Sequence, residues 1–319
     1  MKNSYSNIFP FSKKILNKTI KVLNKGSIAG VPTETVYGLA GNAYSKSSIV
    51  KIFKLKGRPK SNPLIIHYYD IKQILGDVVV NNNFKKLYKK FCPGPITFIL
   101  KKNKNSKIHS LACAKLQTVA IRFPKHKIIR SILKNINYPL AMPSANISSN
   151  VSSVCAKDVQ EEFKKKIKLI INGGQSTIGI ESTVIDLTSK PKILRPGIID
   201  LSKIEKILEL KVKKNINILK VKSPGMLKKH YSPGIPVLIN QSKPDNISAF
   251  VYLGRKHRNK KRFFSLSKSS NLKEAASNLY RTLRLIKKRG FKKIQIEKIP
   301  SLGPGIAIND RIKRAAHNR

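Results

Sequence analysis

The sequence predicts an α/β protein with a twisted mixed sheet, followed by a second, smaller α/β domain. Between residues 26 and 197, apolar strand-like runs alternate with helix-like segments, and this alternation has no simple repeat. The chain has 319 residues, of which 40% are hydrophobic, so it is long enough to build two cores. A basic segment with turn residues at 211–225 interrupts the pattern. We therefore expect a sheet domain at 10–212, a linker at 213–235 and a small α/β domain at 236–319.

The first elements are predicted from their ends and from their apolar period. Apolar residues on one face predict an amphipathic helix at 13–25. A strand follows at 27–31, and Pro32 stops it because proline has no N–H for a ladder bond. Ser45 can cap the next helix, which we expect to end at Pro59.

The remaining elements follow from the same period rules. In the first domain we expect further strands at 64–67, 96–100, 118–123, 140–142, 169–171, 184–187 and 193–195, and helices at 83–91, 127–136 and 158–166. In the second domain we expect strands at 236–239, 249–253 and 291–296, and helices at 272–288 and 311–316. Asn309 can cap the last of these helices.

Several polar and cationic side chains follow strands or end helices, where α/β folds tend to bind ligands. Lys56 and Arg58 follow the helix that Ser45 begins, and would form a cationic mouth that suits phosphates. Thr33 and Thr35 would add hydroxyls for a small polar ligand. On this pattern alone, a charged helix end between two ordinary strands is an equally good interpretation.

Two further strand ends carry candidate ligand groups. Arg122 could clamp a carboxylate or form a surface ion pair, and the shortage of acidic residues favours the carboxylate ligand. The segment PSANIS at 143–148 could offer donors to phosphate or sugar oxygens, or it could be an ordinary turn.

Composition narrows the class of protein. Sixty-five Lys+Arg against 15 Asp+Glu give a formal net charge of +50, which indicates either a polyanionic partner or drift toward AT-rich codons. We favour the codon drift. The three cysteines are widely spaced and are expected to be reduced and intracellular. No apolar run reaches transmembrane length and no signal-peptide core is present, so we expect no membrane contact and a cytoplasmic location.

The standard catalytic motifs are missing from the sequence. It contains no Walker A segment, no G-x-G-x-x-G fingerprint, no zinc cluster and no nucleophile with a nearby base. What remains is a set of Ser, Thr, Asn, Arg and Lys side chains at strand ends. That set suits nucleotidyl transfer by positioning and charge neutralisation.

A series of motifs spans residues 26–316. Each motif alone is common, but the whole series in this order is specific for one protein family. In order, the motifs are PTETVYGL, KGRPKSNPLIIH, PGPITFIL, VAIRFP, PSANISS, ESTVIDL, ILRPG, SPGMLKKHYSP and GPGIAINDRIKRAA. The series resembles the threonylcarbamoyl-AMP synthase family in its long, two-domain form. The resemblance implies a YrdC-like fold for the first domain and a Rossmann-like fold for the second.

The resemblance also implies an activity. Members combine L-threonine, bicarbonate and ATP into threonylcarbamoyl-AMP and pyrophosphate, which makes them nucleotidyltransferases. The product would feed a downstream tRNA threonylcarbamoyl transferase that modifies adenosine beside the anticodon. Mg²⁺ would accompany ATP and be held chiefly by phosphates and waters, because carboxylates are scarce in this chain.

Residue roles are implied in the same way. The residues implied to hold threonine are Thr35, His67, Arg122, Met142 and Ser182. The residues implied to bind ATP are Arg58, Asn62, Thr118, Ser144, Asn146, Ser152, Arg195 and Tyr231. Lys56 and Arg58 would stabilise charge during catalysis. Tyr231, on the linker, would close over the nucleotide as a lid, an interpretation that we favour over a strap between domains.

Two other functions compete with the synthase. The net charge fits a non-enzymatic RNA-binding module, including one that contacts tRNA. A carbamoyl-transferring relative would carry an acylphosphatase-like region and zinc-finger cysteines, and neither is visible in this sequence. The HYSP and INDR segments favour the synthase, with the RNA-binding module as the alternative.

Overall fold

Eleven strands form one mixed sheet in the first domain of the computed structural model, which describes residues 7–214, 230–255 and 261–316. The strands are β1 (Ile8–Pro10), β2 (Ala29–Val31), β3 (Gly38–Asn42), β4 (Ile65–His67), β5 (Ile96–Lys101), β6 (Thr118–Arg122), β7 (Leu140–Ala141), β8 (Ile170–Asn172), β9 (Thr183–Asp186), β10 (Lys192–Arg195) and β11 (Lys213–Lys214). The helices are α1 (Lys13–Asn24), α2 (Lys46–Lys56), α3 (Asn82–Phe91), α4 (Lys127–Lys134), α5 (Ala156–Phe163) and α6 (Leu201–Leu208). The predicted mixed α/β architecture is therefore confirmed.

The strand order brings distant parts of the sequence to one edge of the sheet. It reads β1-β8-β2-β3-β7-β4-β6-β5-β9-β10-β11. β4 runs parallel to β6, so His67 lies opposite Arg122 where both strands end. On the other side of β6, Arg122 lies opposite Thr97, and β5 pairs in turn with Thr183 of β9. Four separate segments thus meet around Arg122.

The helix α2 begins where the sequence predicts and ends at Lys56, three residues before Pro59. The Ser45 hydroxyl accepts a hydrogen bond from the Ser48 amide, which is the predicted cap. The helix ends at Lys56 because Gly57 takes a left-handed conformation with φ of 58°, which glycine adopts without strain. The expectation that Pro59 ends this helix was wrong.

The second domain is a small parallel sheet that shares its core with the first domain. Its strands are β12 (Val237–Leu238), β13 (Ala249–Tyr252), β14 (Phe263–Ser265) and β15 (Ile294–Ile296), in the order β12-β15-β13-β14. Its helices are α7 (Leu272–Lys288), whose predicted bounds are confirmed, and α8 (Pro304–Ala316). Val36, Val151 and Ile180 of the first domain pack into the same buried cluster as α7 and α8. The two domains therefore meet through a continuous apolar core.

Asn309 does not cap the last helix. It lies within α8, and its side-chain amide donates to the Ile299 carbonyl and to the Ser301 hydroxyl. The helix begins at Pro304, whose missing N–H costs nothing in a first turn. The sequence analysis also did not predict the elements β3, α6 and β14. The sequence of β3 is Gly-Leu-Ala-Gly-Asn, which lacks the β-branched residues that are typical of strands.

The expected linker at 213–235 begins inside the sheet, because β11 pairs with β10. Residues 215–229, with the turn residues that suggested a boundary, lie outside the described residues. The described end of the linker bonds to the first domain, since the Ser232 amide donates to the Ser149 carbonyl and the Val151 amide donates to the Ser232 carbonyl. None of the described helices has the length and hydropathy needed to cross a membrane.

Candidate active site

A cavity lies where the central strands end. Its lining residues are Thr35, Val36, Arg58, Ile65, His67, Arg122, Met142, Pro143, Ser144, Glu181, Ser182, Arg195, His230 and Tyr231. All five residues expected to hold threonine are among them. So are four of those expected to bind ATP, namely Arg58, Ser144, Arg195 and Tyr231.

Arg122 occupies one wall, and it is paired. Its Nη2 donates to Glu34 Oε1 at 2.6 Å and its Nη1 donates to Thr35 Oγ1 at 2.8 Å. Arg122 thus has an acidic partner despite the shortage of acidic residues, and the pair is buried and not at the surface. Its role as a carboxylate clamp stays a prediction. Its Nε is buried without a hydrogen-bond partner among the described residues. The Nε–H thus remains for a ligand, while the bonds from the two terminal nitrogens fix the plane of the guanidinium.

Glu34 anchors this wall rather than acting on a ligand. Besides the bond from Arg122, its Oε2 accepts from the backbone amides of Lys125 and His126. Burial raises the pKa of Glu34, but the charge and hydrogen bond of Arg122 outweigh it and hold the pKa below its usual value. The carboxylate therefore stays ionised and fully engaged.

The hydroxyl of Thr35 is oriented by its neighbours. Thr33 Oγ1 lies 2.6 Å from the Val36 carbonyl, to which it donates, and 2.9 Å from Thr35 Oγ1. Because the Thr33 proton is used on that carbonyl, Thr35 must donate to Thr33 Oγ1. Thr35 Oγ1 also accepts from Arg122, so both the hydroxyl and the guanidinium are held in place. Thr33 itself does not line the cavity.

His67 is neutral. Its Nδ1 lies 3.2 Å from the Ile65 carbonyl, which can only accept, so Nδ1 carries the proton. Burial, reinforced by the Arg122 charge, lowers the pKa of His67 well below its ordinary value. A neutral imidazole at this position can shape the cavity and share a hydrogen bond without adding charge.

Arg58 is the candidate anion-binding residue. Its Nε donates to the Asn62 carbonyl at 2.9 Å, and its Nη2 donates to Asn62 Oδ1 at 2.7 Å and to the Pro63 carbonyl at 2.8 Å. Burial and the nearby Arg195 charge lower the pKa of Arg58 to about 9. Asn62 lies behind Arg58 and orients it. The Arg195 charge so close to Arg58 favours a bound anion at this side of the cavity.

Arg195 and Ser182, which both line the cavity, are joined by two hydrogen bonds. Arg195 Nε donates to the Ser182 carbonyl at 3.1 Å and its Nη2 donates to Ser182 Oγ at 3.1 Å. Ser182 Oγ also lies 2.7 Å from Thr97 Oγ1. Burial lowers the pKa of Arg195. These contacts hold the Ser182 hydroxyl in one orientation.

Lys56 is not at a cationic mouth, which corrects the sequence prediction. It is 1% exposed, and its Nζ donates to the Ser144 carbonyl at 2.6 Å and to the Asn146 carbonyl. Burial, and next the Arg58 charge, lower the pKa of Lys56 well below its ordinary value. The ammonium thus braces the Ser144–Asn146 turn from behind and does not face the cavity.

Three other predicted ATP ligands lie outside the cavity lining. Asn146 Nδ2 donates to the carbonyls of Ile147 and Asn150, and Ser152 Oγ donates to Glu181 Oε1 at 2.6 Å. Thr118 pairs with Lys101 at the start of β6. That position is four residues, or about 13 Å, from Arg122 along the strand. The structure does not bring Thr118 together with the other candidates.

Two residues of the cavity lining, Glu181 and His230, were not among the predicted site residues. Glu181 belongs to the ESTVIDL motif, and the rarity of acids in this chain was the signal that could have singled it out. Burial lowers the pKa of His230 to about 3, so its ring is neutral beside Tyr231.

Tyr231 covers one side of the cavity. It is 1% exposed and has a positive φ of 65°, an uncommon conformation for an aromatic residue. Its ring stacks on Tyr280 with centroids 5.6 Å apart, and the Arg311 guanidinium lies 5.3 Å from the ring centroid. Its hydroxyl is buried and has no partner among the described residues.

Comparison with known proteins covers nearly the whole chain. Residues 21–197 match a family model described as "Telomere recombination", and residues 199–317 match the model "Threonylcarbamoyl-AMP synthase, C-terminal domain". Threonylcarbamoyl-AMP synthases of Pyrococcus abyssi and Bacillus subtilis are each 34% identical, and each alignment covers 93% of this chain and 92% of the relative. A crystal structure of the Pyrococcus abyssi protein complexed with L-threonine superposes with a TM-score of 0.89 at 32% identity, over 97% of both chains. The chain belongs to the threonylcarbamoyl-AMP synthase family, in its long two-domain form.

Proposed function

We propose that this protein is a nucleotidyltransferase that converts L-threonine, bicarbonate and ATP into threonylcarbamoyl-AMP and pyrophosphate. The observation that carries the proposal is a single cavity that unites Thr35, His67, Arg122, Met142 and Ser182 with the cations Arg58 and Arg195. The relative from Pyrococcus abyssi was crystallised with L-threonine. Membership of the family supports the same amino acid as substrate here.

Threonine would lie against the Arg122 wall. The unpartnered Nε of Arg122 can donate to the substrate carboxylate, and a charge-assisted bond of this kind is short and strong. Thr35 and Ser182 can bond the polar groups of the substrate, while Met142 contributes an apolar surface. This arrangement would leave the substrate amine facing the cation-rich half of the cavity.

The chemistry proceeds in two bond-forming steps. The threonine nitrogen attacks the bicarbonate carbon and water leaves, which gives a carbamate. A carbamate oxygen then attacks the α-phosphorus of ATP, and the bond from that phosphorus to the β-phosphate oxygen breaks as pyrophosphate departs. Negative charge grows on the phosphate oxygens, and Arg58 and Arg195 are placed to stabilise it. Lys56 would act by fixing the Ser144–Asn146 turn.

Mg²⁺ would enter as part of the MgATP substrate. The described residues contain no group of three or more His, Cys, Asp or Glu side chains that could hold a metal ion. The carboxylates nearest the cavity, Glu34 and Glu181, are already used by Arg122 and Arg311. No protein carboxylate is therefore assigned to the metal.

Tyr231 would act as the lid over ATP. Tyr231 lines the cavity, and its buried hydroxyl, which has no partner among the described residues, could bond a phosphate or ribose oxygen once ATP is bound. Closing the site would protect the carbamate and the mixed anhydride from water. We further propose that the product passes to a tRNA-modifying transferase in the cytoplasm. Contact with tRNA is part of this proposal, whereas a purely RNA-binding role is not favoured by the family relationship.

Pyrophosphate release tests the proposal. The protein is supplied with MgATP, and threonine and bicarbonate are each added or omitted; serine replaces threonine in a further sample. Release that requires both threonine and bicarbonate and fails with serine is expected. Release that is independent of bicarbonate would overturn the proposed reaction.

A further inference from the structure

Two residues of the second domain bond to Glu181, a first-domain residue that lines the cavity. Glu181 lines the cavity, although its carboxylate is turned toward the domain boundary. Its Oε1 accepts from Ser152 Oγ at 2.6 Å, and its Oε2 accepts from Tyr280 Oη at 2.8 Å and from Arg311 Nε at 2.9 Å. Tyr280 belongs to α7 and Arg311 to α8. A cavity-lining carboxylate is thus shared between one partner from the first domain and two from the second.

This contact is buried and charged. Arg311 is 1% exposed, and its Nη1 donates to Asp310 Oδ2 at 2.7 Å. Burial alone would raise the pKa of Glu181, but Arg311 and then Arg195 lower it to about 2. An ion pair so enclosed is costly to break, because the remaining charge has no water to solvate it. Arg311 therefore helps to fix the geometry of Glu181, together with Ser152 and Tyr280.

The loop that carries Glu181 packs against the second domain without a gap. A Cβ added at Gly179 would lie 2.5 Å from Ser277 Cα and 2.6 Å from the Ser277 carbonyl oxygen, both in α7. Gly179 also has a positive φ of 74°, so glycine is required on two grounds. Ser182, which lies three residues after Gly179, is expected to contact threonine. Any displacement of α7 would therefore move the threonine wall.

Tyr280 and Arg311 also contact Tyr231, the residue that covers one side of the cavity. Tyr280 stacks on the Tyr231 ring, and Arg311 lies over that ring at 5.3 Å. Tyr231 keeps a left-handed backbone, which is unfavourable for a non-glycine residue. Its position must accordingly be determined by its surroundings.

We propose that Tyr280 and Arg311 are positioning residues of the active site, which hold both the Glu181–Ser182 wall and Tyr231. The second domain then completes the site for threonine and ATP and is not a separate module. The inference rests on the proposed function insofar as it names threonine as the ligand.

The test compares Tyr280→Phe with Tyr44→Phe. Tyr44 Oη donates to Asp77 Oδ2 at 2.8 Å, so each variant removes one hydroxyl from a carboxylate at the same distance. Of the two carboxylates, Glu181 lines the cavity and Asp77 does not. We expect Tyr280→Phe to raise the threonine KM and to weaken threonine affinity in calorimetry by about fivefold or more. Tyr44→Phe should leave both at the wild-type value.

Arg311 provides a second variant pair if the tyrosine variant does not fold. Arg311→Met should lose threonine affinity, and Arg311→Lys should restore part of it, since lysine keeps the charge beside Glu181. Wild-type threonine affinity in folded Tyr280→Phe and in Arg311→Met would overturn the inference. Wild-type protein that binds threonine but releases no pyrophosphate would overturn the proposed reaction alone.

Discussion

Replacing Arg122 with lysine is expected to weaken threonine binding by about tenfold to a hundredfold. The guanidinium is held by Glu34 and Thr35 through its two terminal nitrogens, which leaves Nε for the substrate carboxylate. A hydrogen bond to a charged group contributes about 1.5–3 kcal/mol, and each 1.4 kcal/mol is a tenfold change in affinity. Lysine keeps the charge beside Glu34 but has no Nε–H in this position.

Arg130→Lys is the matched control. Arg130 donates from Nη1 to the Tyr69 carbonyl at 3.1 Å and lies over the Tyr69 ring at 4.2 Å, so the same substitution removes a defined set of contacts away from the cavity. Both variants are titrated with L-threonine by isothermal calorimetry, and their folding is checked by urea denaturation. If folded Arg122→Lys bound threonine as tightly as Arg130→Lys, the carboxylate clamp would be refuted.

Three further perturbations report on other parts of the site. Arg58→Lys should weaken the binding of a non-hydrolysable ATP analogue by about tenfold in calorimetry, because lysine cannot replace the planar guanidinium that faces the phosphates. Threonine affinity should stay at the wild-type value, and equal losses of affinity for both ligands would contradict the assignment of Arg58 to ATP. Lys56→Met should lower the free energy of unfolding in urea by about 1–3 kcal/mol, because the Ser144 and Asn146 carbonyls lose their donor; an unchanged denaturation midpoint would contradict the bracing role. Above pH 4.5, the free energy of unfolding of Glu181→Gln should be about 3 kcal/mol lower than that of wild type, because the pKa of Glu181 is lower in the folded protein than in the unfolded chain. This difference should disappear as the pH falls through about 2, where the wild-type carboxylate becomes protonated. A difference that persists below pH 2 would contradict the ion-pair account.

The sequence predicts most of the sheet and the threonine side of the cavity. The strands that carry His67 and Arg122 are short apolar runs with polar ends, and the parallel register of β4 and β6 places those ends side by side. Strand β3 was not predicted because its residues have low β-strand propensity, and its packing in the sheet makes it a strand.

The electrostatic partners could not be predicted. Lys56 reaches carbonyls 88 and 90 residues further along the chain, and Arg122 meets a carboxylate 88 residues before it. The local sequence pattern predicts that a charged residue lies at the end of a helix or strand. Which groups surround that residue depends on the folded topology. Glu181 shows the same limit, since its partners come from both domains.

The most direct measurement supplies ¹³C-bicarbonate with L-threonine and MgATP and analyses the products by mass spectrometry. The account predicts threonylcarbamoyl-AMP that carries the label in its carbamoyl carbon, together with pyrophosphate, from wild-type protein and not from a sample lacking threonine. Threonyl-AMP without the label would contradict it, since the nucleophile at the α-phosphorus would then be the threonine carboxylate and not a carbamate.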